Sequence, residues 1–185
     1  MDTSTAAPNR DFDQHLEAIR AAPRDTGRVE LIVRRPALDE REVVHEGVVD
    51  AEHGLVGDDW QARGNRHTPD GSADPDAQLT LMSTRVLTVI EPDAARWPLA
   101  GDQIYVDLDL SEANLPVGTR LVIGSAVVEV TAKPHTGCAK FSERFGSDVT
   151  RWINNPVGRS LRLRGMNVRV VEAGTVRAGD AVRKA

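Results

Sequence analysis

The chain has 185 residues, a formal net charge of −5 and an apolar fraction of 40%, of which little is aromatic. This size suits one domain with an aliphatic core, and the charge argues against a general nucleic-acid binder, whose phosphate contacts need a basic surface. One cysteine excludes an internal disulfide, which fits a reducing compartment. Residues 1–10 lack a secretory signal, and no apolar run approaches the roughly 18–20 residues of a membrane helix. We therefore expect a soluble, cytoplasmic protein.

The first 27 residues are predicted to be a polar tail followed by a short helix. Phe12, Leu16 and Ile19 fall at positions i, i+4 and i+7, which places them on one face of a helix over residues 11–21. Pro23 ends that helix. We interpret residues 1–27 as an appendage and residues 28–185 as the folded domain.

From Arg28 onward the chain alternates with period two, which is typical of strands. The clearest strand covers residues 103–110, and Gly124-Ser125 predicts a tight hairpin between residues 120–123 and 126–131. A short helix is predicted at residues 85–91, ended by Pro92. Further strands are predicted at residues 28–34, 42–49, 78–82, 161–164 and 168–171. Many short strands without a parallel βαβ rhythm predict a mainly β fold, an antiparallel barrel or sandwich with a few short helices.

Cys138 is the first candidate for chemistry. Its thiolate form would be a nucleophile and a ligand for soft metals. Gly137 leaves access to the sulfur, while Lys140, His135 and the start of the following helix could stabilise a negative charge. The alternative is an inert, buried cysteine, because free cysteines are among the most buried residues.

Other site types have less support. Zinc is not expected, because structural zinc sites need several paired Cys and His residues, and Cys138 has a single histidine nearby. A Cys–His hydrolase has no local signature. Two basic clusters could hold an anion or could simply face solvent. These are Arg63, Arg66 and His67 in the polar loop over residues 62–76, and Arg162 and Arg164, placed on one strand face by their alternation with leucines.

Several segments together resemble the MOSC family, named for the C-terminal domain of molybdenum cofactor sulfurase. The strongest match is the segment from Pro134 to Phe141, PHTGCAKF. The others are GLVGD at residues 54–58, Gly101-Asp102, Asn114-Leu115, RGMN at residues 164–167 and RAGD at residues 177–180. The likeness extends from about Val29 to Val182 and is closest to stand-alone bacterial members.

The resemblance implies an antiparallel β-barrel of the MOSC or pyruvate-kinase-barrel type. It implies that Cys138 carries sulfur as a persulfide or ligates molybdenum, with Lys140 beside it in the catalytic role. Residues that would hold the pterin and phosphate of molybdenum cofactor are Arg63, Arg66, His67, Asn114, His135, Thr136 and Arg164. No desulfurase segment accompanies the domain, so sulfur would come from a separate pyridoxal-phosphate-dependent cysteine desulfurase, or electrons from a separate electron-transfer protein.

Three functions stay open at this point. The first is sulfur transfer or cofactor handling through Cys138, and the second is a molybdenum-dependent reductase of N-hydroxylated compounds. The third is a non-catalytic barrel that binds a small ligand and in which Cys138 is inert. A nucleic-acid or membrane partner is not expected.

Overall fold

The computed structural model describes residues 11–185. The strands are β1 (Thr26–Arg34), β2 (Glu42–Val44), β3 (Glu46–Asp50), β4 (Gly54–Leu55), β5 (Leu79–Ser83), β6 (Ile104–Asp107), β7 (Arg120–Ile123), β8 (Ala126–Val130), β9 (Met166–Glu172), β10 (Gly174–Arg177) and β11 (Ala181–Lys184). The α-helices are α1 (Leu16–Arg20), α2 (Trp60–Arg63), α3 (Thr84–Ile90), α4 (Ala139–Phe145), α5 (Ser147–Asn154) and α6 (Pro156–Ser160). Short 3-10 segments cover Asp13–His15, Pro75–Ala77 and Ala94–Ala100. Residues 1–10, the predicted polar tail, lie outside the described part.

Seven strands close into a barrel in the order β1, β6, β5, β9, β8, β7 and β11, and β11 then pairs with β1. Closure joins Thr26 to Arg183 and Arg28 to Ala181. The predicted hairpin is confirmed as β7 and β8, with Ile123 opposite Ala126 and Gly124 at φ +58 in the turn. The mainly β class and the barrel are thus as predicted.

One pairing in the barrel is parallel. Strand β5 runs in the same direction as β6, with Leu81 opposite Ile104, whereas its other neighbour, β9, is antiparallel. The barrel is therefore mixed, and the expectation of a purely antiparallel barrel is wrong at this point. Residues 84–103, containing α3 and a 3-10 segment, supply the long crossover that parallel neighbours need.

The stretch predicted as a single strand over residues 42–49 is divided at His45. Strand β2 extends the barrel sheet by pairing with the end of β1, while β3 joins β10 and β4 in a separate three-stranded sheet. The weak alternation of this segment reflects two strands that face different neighbours. The small sheet is built on Val49 opposite Leu55 and on Val176 opposite Gly47.

Two apolar clusters hold the fold together. The first fills the barrel with aliphatic side chains from alternate strand positions, such as Leu79 and Leu81, both fully buried. The second lies between the outer barrel surface and the helices and contains most of the aromatic residues. Phe12 belongs to this second cluster and stacks on Trp152, with 5.0 Å between the ring centroids. The N-terminal helical segment therefore packs on the same core as α5.

Candidate functional site

Cys138 lies at the end of the loop that joins β8 to α4. It is the residue immediately before α4, its backbone is extended at φ −103 and ψ 178, and its side chain is exposed. The exposed position disfavours the interpretation of Cys138 as an inert core cysteine. Gly137, just before it, is held by the side chain of Asn154, which accepts from the Gly137 N–H at 3.1 Å and donates to its carbonyl at 3.3 Å.

The same loop forms one wall of a cavity of about 250 Å³. The opposite wall comes from α6 and the turn that follows it. The polar side chains along the cavity are Glu112, Thr131, Lys133, His135, Thr136, Arg159, Arg162 and Arg164. Cys138 is not itself among the lining residues. It follows Thr136 by two residues, which span at most about 7 Å of chain, so it lies beside the cavity and not in its wall.

The cavity carries an excess of positive charge. Within residues 11–185, Arg159 and Arg162 have no carboxylate within 4.0 Å. Arg162 instead donates to the carbonyls of Leu110 and Leu115, at 3.3 and 2.6 Å. Burial lowers the pKa of Arg162, and the Glu112 carboxylate partly offsets that effect. Lys133 and Arg164 are ion-paired with Asp74 and Asp102 behind the wall. The excess therefore rests on Arg159 and Arg162 against Glu112, which suits an anionic ligand.

A buried network stands behind the cavity wall. Asp102 is fully buried and accepts from His135 Nε2 at 2.8 Å and from Arg164 Nη1 at 2.6 Å. Arg164 also donates to the carbonyl of Ala100 and lies over the Phe141 ring, 4.7 Å from its centroid. Its Nε is buried and has no hydrogen-bond partner among the residues described, which leaves one donor for a ligand.

The pKa values in this network follow from burial and charge. Burial disfavours the Asp102 carboxylate, but Arg164 and His135 outweigh it and lower the pKa of Asp102 to about 2. Burial and the Arg164 guanidinium lower the pKa of His135, although Asp102 opposes them. His135 is thus neutral at pH 7, so that its Nε2–H donates to Asp102 and Nδ1 remains a proton acceptor.

A second arginine fixes the loop before Asp102. Arg35 forms a two-point ion pair with the buried Asp58, with its Nη2 at 2.7 Å and its Nε at 2.8 Å from the carboxylate. Its Nη1 donates to the carbonyl of Gly101 at 3.0 Å. Asp58 also accepts from Gln103 at 3.4 Å. Asp58 thus anchors, through Arg35 and Gln103, the segment that carries Asp102.

The predicted site residues do not all converge. His135, Thr136 and Arg164 come together at the cavity. Arg63 pairs with Asp59 at 3.0 Å in α2, and Arg66 donates to His67 at 3.2 Å in an exposed loop. None of these three loop side chains lines the cavity, so their cofactor-binding role stays a prediction.

Asn114 and Lys140 are engaged elsewhere. The buried Asn114 donates to the carbonyls of Arg24 and Asp109, at 2.9 and 2.8 Å, and accepts from Lys184. These bonds join the segment before β1 to the end of β11. The Lys140 ammonium lies 2.9 Å from Asp39. Ligand contacts by Asn114 and Lys140 also stay predictions.

The structure adds residues that the sequence did not single out as a site. Asp102, Lys133 and Arg159 have no motif of their own, although Asp102 belongs to the Gly101-Asp102 match. The strand predicted over residues 161–164 is wrong, because α6 ends at Ser160 and a turn follows, with Arg162 at φ +48. That turn directs Arg164 onto the buried Asp102 instead of along a strand face.

The donor set can be tested against molybdenum cofactor. The described residues contain no group of three or more His, Cys, Asp or Glu side chains suited to hold a metal ion. A cofactor that already carries ligands for its metal and a phosphate group needs fewer protein ligands than a free metal ion. It needs one soft donor for the metal and cationic side chains around the phosphate. Cys138, the cavity cations and the unpartnered Arg164 Nε fit those needs.

Among residues 11–185, no helix is long and apolar enough to cross a membrane.

Solved structures share this fold at low sequence identity. A crystal structure of a hypothetical protein has a TM-score of 0.59 and 21% identity over 90% of this chain and 70% of its own. The YUAD protein from Bacillus subtilis has a TM-score of 0.59 and 15% identity, covering 85% and 94% of the two chains. YiiM from Escherichia coli has a TM-score of 0.56 and 22% identity, covering 85% and 69%. These likenesses support the architecture.

Family membership rests on the sequence itself. Among curated proteins no significant match is found. The family model described as MOSC domain matches residues 68–183, well over half of the chain and including the cavity wall, Asp102 and Cys138. The protein belongs to the MOSC domain family.

Proposed function

We propose that this protein binds molybdenum cofactor in the cationic cavity and uses Cys138 as its protein ligand for molybdenum. The observation that carries the proposal is the adjacency of an exposed cysteine to a cavity with uncompensated arginines. A thiolate is a soft ligand that suits molybdenum, and a cofactor phosphate suits guanidinium groups. MOSC membership agrees with this assignment.

Each residue of the cavity has a part in this proposal. Arg159 and Arg162 would hold the anionic end of the cofactor, while Thr136 and the free Nε of Arg164 would add hydrogen bonds. Because Arg164 is fixed by Asp102 and Ala100, that Nε is preorganised and loses little freedom on binding. When bound, the cofactor supplies two-electron redox chemistry at molybdenum.

His135 would handle protons beside the bound cofactor. Its Nε2 is fixed on Asp102, so the ring is oriented and Nδ1 can accept a proton and return it. This is the geometry by which a buried carboxylate orients a histidine in other active sites. Under this proposal the protein reduces an N-hydroxylated compound, with electrons from a separate electron-transfer protein.

Sulfur transfer is the second candidate, and the exposure of Cys138 favours it. The Cys138 thiolate would attack the outer sulfur of a persulfide on a separate cysteine desulfurase. A new S–S bond forms on Cys138, the donor S–S bond breaks, and the donor cysteine leaves as a thiolate. The exchange consumes no external oxidant or reductant. Both candidates need Cys138, but only the first needs the cavity cations.

The test is metal content after expression in a host that makes molybdenum cofactor. We expect near-stoichiometric molybdenum and a pterin in the wild-type protein, strongly reduced in Cys138→Ala and Arg162→Gln. Arg151→Gln is the matched control for Arg162, because Arg151 is an exposed arginine on α5 that does not line the cavity. It should retain full loading.

The outcomes separate the two candidates. Absence of molybdenum from the wild-type protein would refute cofactor binding. The thiol would then be treated with a persulfide donor, and a mass increase of one sulfur atom, absent in Cys138→Ala, would support sulfur transfer. Lack of both molybdenum and sulfur uptake would leave a non-catalytic barrel.

A further inference from the structure

A second cationic cluster begins two residues after Cys138, among side chains that do not line the cavity. It consists of Lys140 and Arg144, one turn apart on α4, and of Arg41 from the loop between β1 and β2. None of the three lines the cavity. Arg144 is fixed by its Nη1, which donates to the carbonyl of Leu99 at 2.9 Å.

One carboxylate occupies this cluster. Asp39 Oδ1 accepts from Lys140 Nζ at 2.9 Å and from Arg144 Nη2 at 3.0 Å. Asp39 lies in the left-handed region at φ +61, which a residue with a Cβ adopts only at a cost. Its side chain is 56% exposed, and exposed ion pairs contribute little to stability. The Asp39 carboxylate is thus weakly held.

Arg41 is left without an acidic partner. No carboxylate of residues 11–185 lies within 4.0 Å of it, and its Nε is buried without a hydrogen-bond partner there. Burial, and then the nearby Arg144 and Arg35, lower the pKa of Arg41, which reflects the local excess of positive charge. The four side chains Asp39, Arg41, Lys140 and Arg144 together carry a charge of +2.

We propose that Arg41, Lys140 and Arg144 form a binding site for a phosphate monoester, and that the Asp39 carboxylate fills this site when no ligand is bound. A dianion matches the charge of the cluster, and two guanidinium groups offer the paired donors that phosphate oxygens accept. The ligand would displace the Asp39 carboxylate from Lys140 and Arg144. The site does not depend on the role proposed for Cys138.

The probe is inorganic phosphate, titrated into the metal-free protein while the arginine Nε–H signals are followed by NMR. We expect saturable shifts of Arg41 and Arg144. Asp39→Asn removes the competing carboxylate and should tighten phosphate binding about two- to fivefold. Glu17→Gln, the same change of charge at an exposed position on α1, should leave the affinity unchanged. Arg41→Lys keeps the charge but loses the guanidinium and should weaken binding.

Two results would overturn the site. One is the absence of saturable shifts in both the wild-type protein and Asp39→Asn, with thermal unfolding confirming that both are folded. The other is an equal gain in affinity in Asp39→Asn and Glu17→Gln, since that would be a general charge effect.

A repeat on molybdenum-loaded protein identifies the source of the phosphate. If loading abolishes phosphate binding, the cofactor's own phosphate occupies this site, and not the position beside Arg159 and Arg162 that is proposed for it above. If binding persists, the site serves the phosphate of a second ligand. Both results support the site, and neither depends on catalytic activity.

Discussion

The side-chain amide of Asn154 and the backbone of Gly137 form two hydrogen bonds, in one of which the amide accepts and in the other of which it donates. Asn154 accepts from the Gly137 N–H and donates to its carbonyl. A Cβ added at Gly137 would lie 2.9 Å from Ile153 Cδ1 and 3.2 Å from Thr150 Cγ2, so a larger residue would require these side chains to shift. The end of α5 therefore fixes the residue before Cys138.

Removal of this contact should loosen the cysteine segment. We expect Asn154→Ala to lower the free energy of unfolding by about 1–2 kcal/mol, for two lost hydrogen bonds, as measured by urea denaturation. Hydrogen exchange of the Gly137 amide should be ~5–10-fold faster. Asn154→Asp keeps the acceptor and should preserve that protection, and equal exchange rates in the two variants would contradict the interpretation.

The Arg164–Asp102 pair should be far more sensitive than a surface pair. Arg164→Leu leaves the Asp102 carboxylate buried without its main counter-charge, and we expect a loss of about 3–5 kcal/mol in urea denaturation. Arg85→Leu is the control. Arg85 pairs with Asp107 at 2.6 Å, but about a third of each side chain is exposed, so that substitution should cost under about 1 kcal/mol. Similar losses in both variants would argue against a special role for Asp102.

Stability should fall below neutral pH because of His135. Its pKa in the folded protein is lower than the ordinary value of 6.5. As the pH falls below 6.5, His135 therefore binds a proton more readily in the unfolded chain than in the folded protein. The stability is thus fully present above pH 6.5 and declines below it, by at most about 1.4 kcal/mol per pH unit.

The comparison with His135→Gln isolates this effect from the other histidines. Glutamine can still donate to Asp102 but does not titrate. The difference in unfolding free energy between the wild-type protein and the variant should be constant above about pH 7.5. Below pH 6.5 the wild-type protein should lose stability relative to the variant. Parallel stability curves from pH 8 to 5 would show that His135 titrates normally.

The N-terminal helical segment should contribute to the stability of the barrel. Phe12 is 7% exposed and stacks on Trp152, whose Nε1 donates to Asp13 at 3.0 Å. We expect Phe12→Ala to lower the unfolding free energy by on the order of 3 kcal/mol, and Phe12→Leu by less. A single cooperative transition with unchanged stability would show that the segment is an appendage, as the sequence implies.

Local patterns predicted the local structure well. The hairpin at Gly124 was recognisable because a tight turn is specified by its own residues, and Phe12, Leu16 and Ile19 marked a helix by their spacing. The parallel pairing of β5 with β6 was missed, because its crossover contains an irregular 3-10 segment. Pairing direction depends on how distant strands meet, which periodicity does not encode.

The candidate site divides in the same way. Cys138 was recognisable from its neighbours Gly137 and Lys140 and from the family resemblance. Asp102 bonds to His135 and Arg164, which lie 33 and 62 positions further along the chain. No local sequence pattern predicts contacts between residues so far apart. The position of Arg162 was predicted wrongly. Its alternation with leucines was interpreted as a strand, but the same pattern occurs here in a turn.

The pairing of β1 with β11 has a consequence for synthesis on the ribosome. Because the barrel closes only when β11 pairs with β1 and β7, it stays open until residues 181–184 have emerged. Until then β1 and β7 each expose an unpaired edge, which is a template for association with other chains. Such long-range closure also slows folding. The nascent chain is therefore most vulnerable to aggregation in the interval before β11 has emerged, when a holding chaperone would help most.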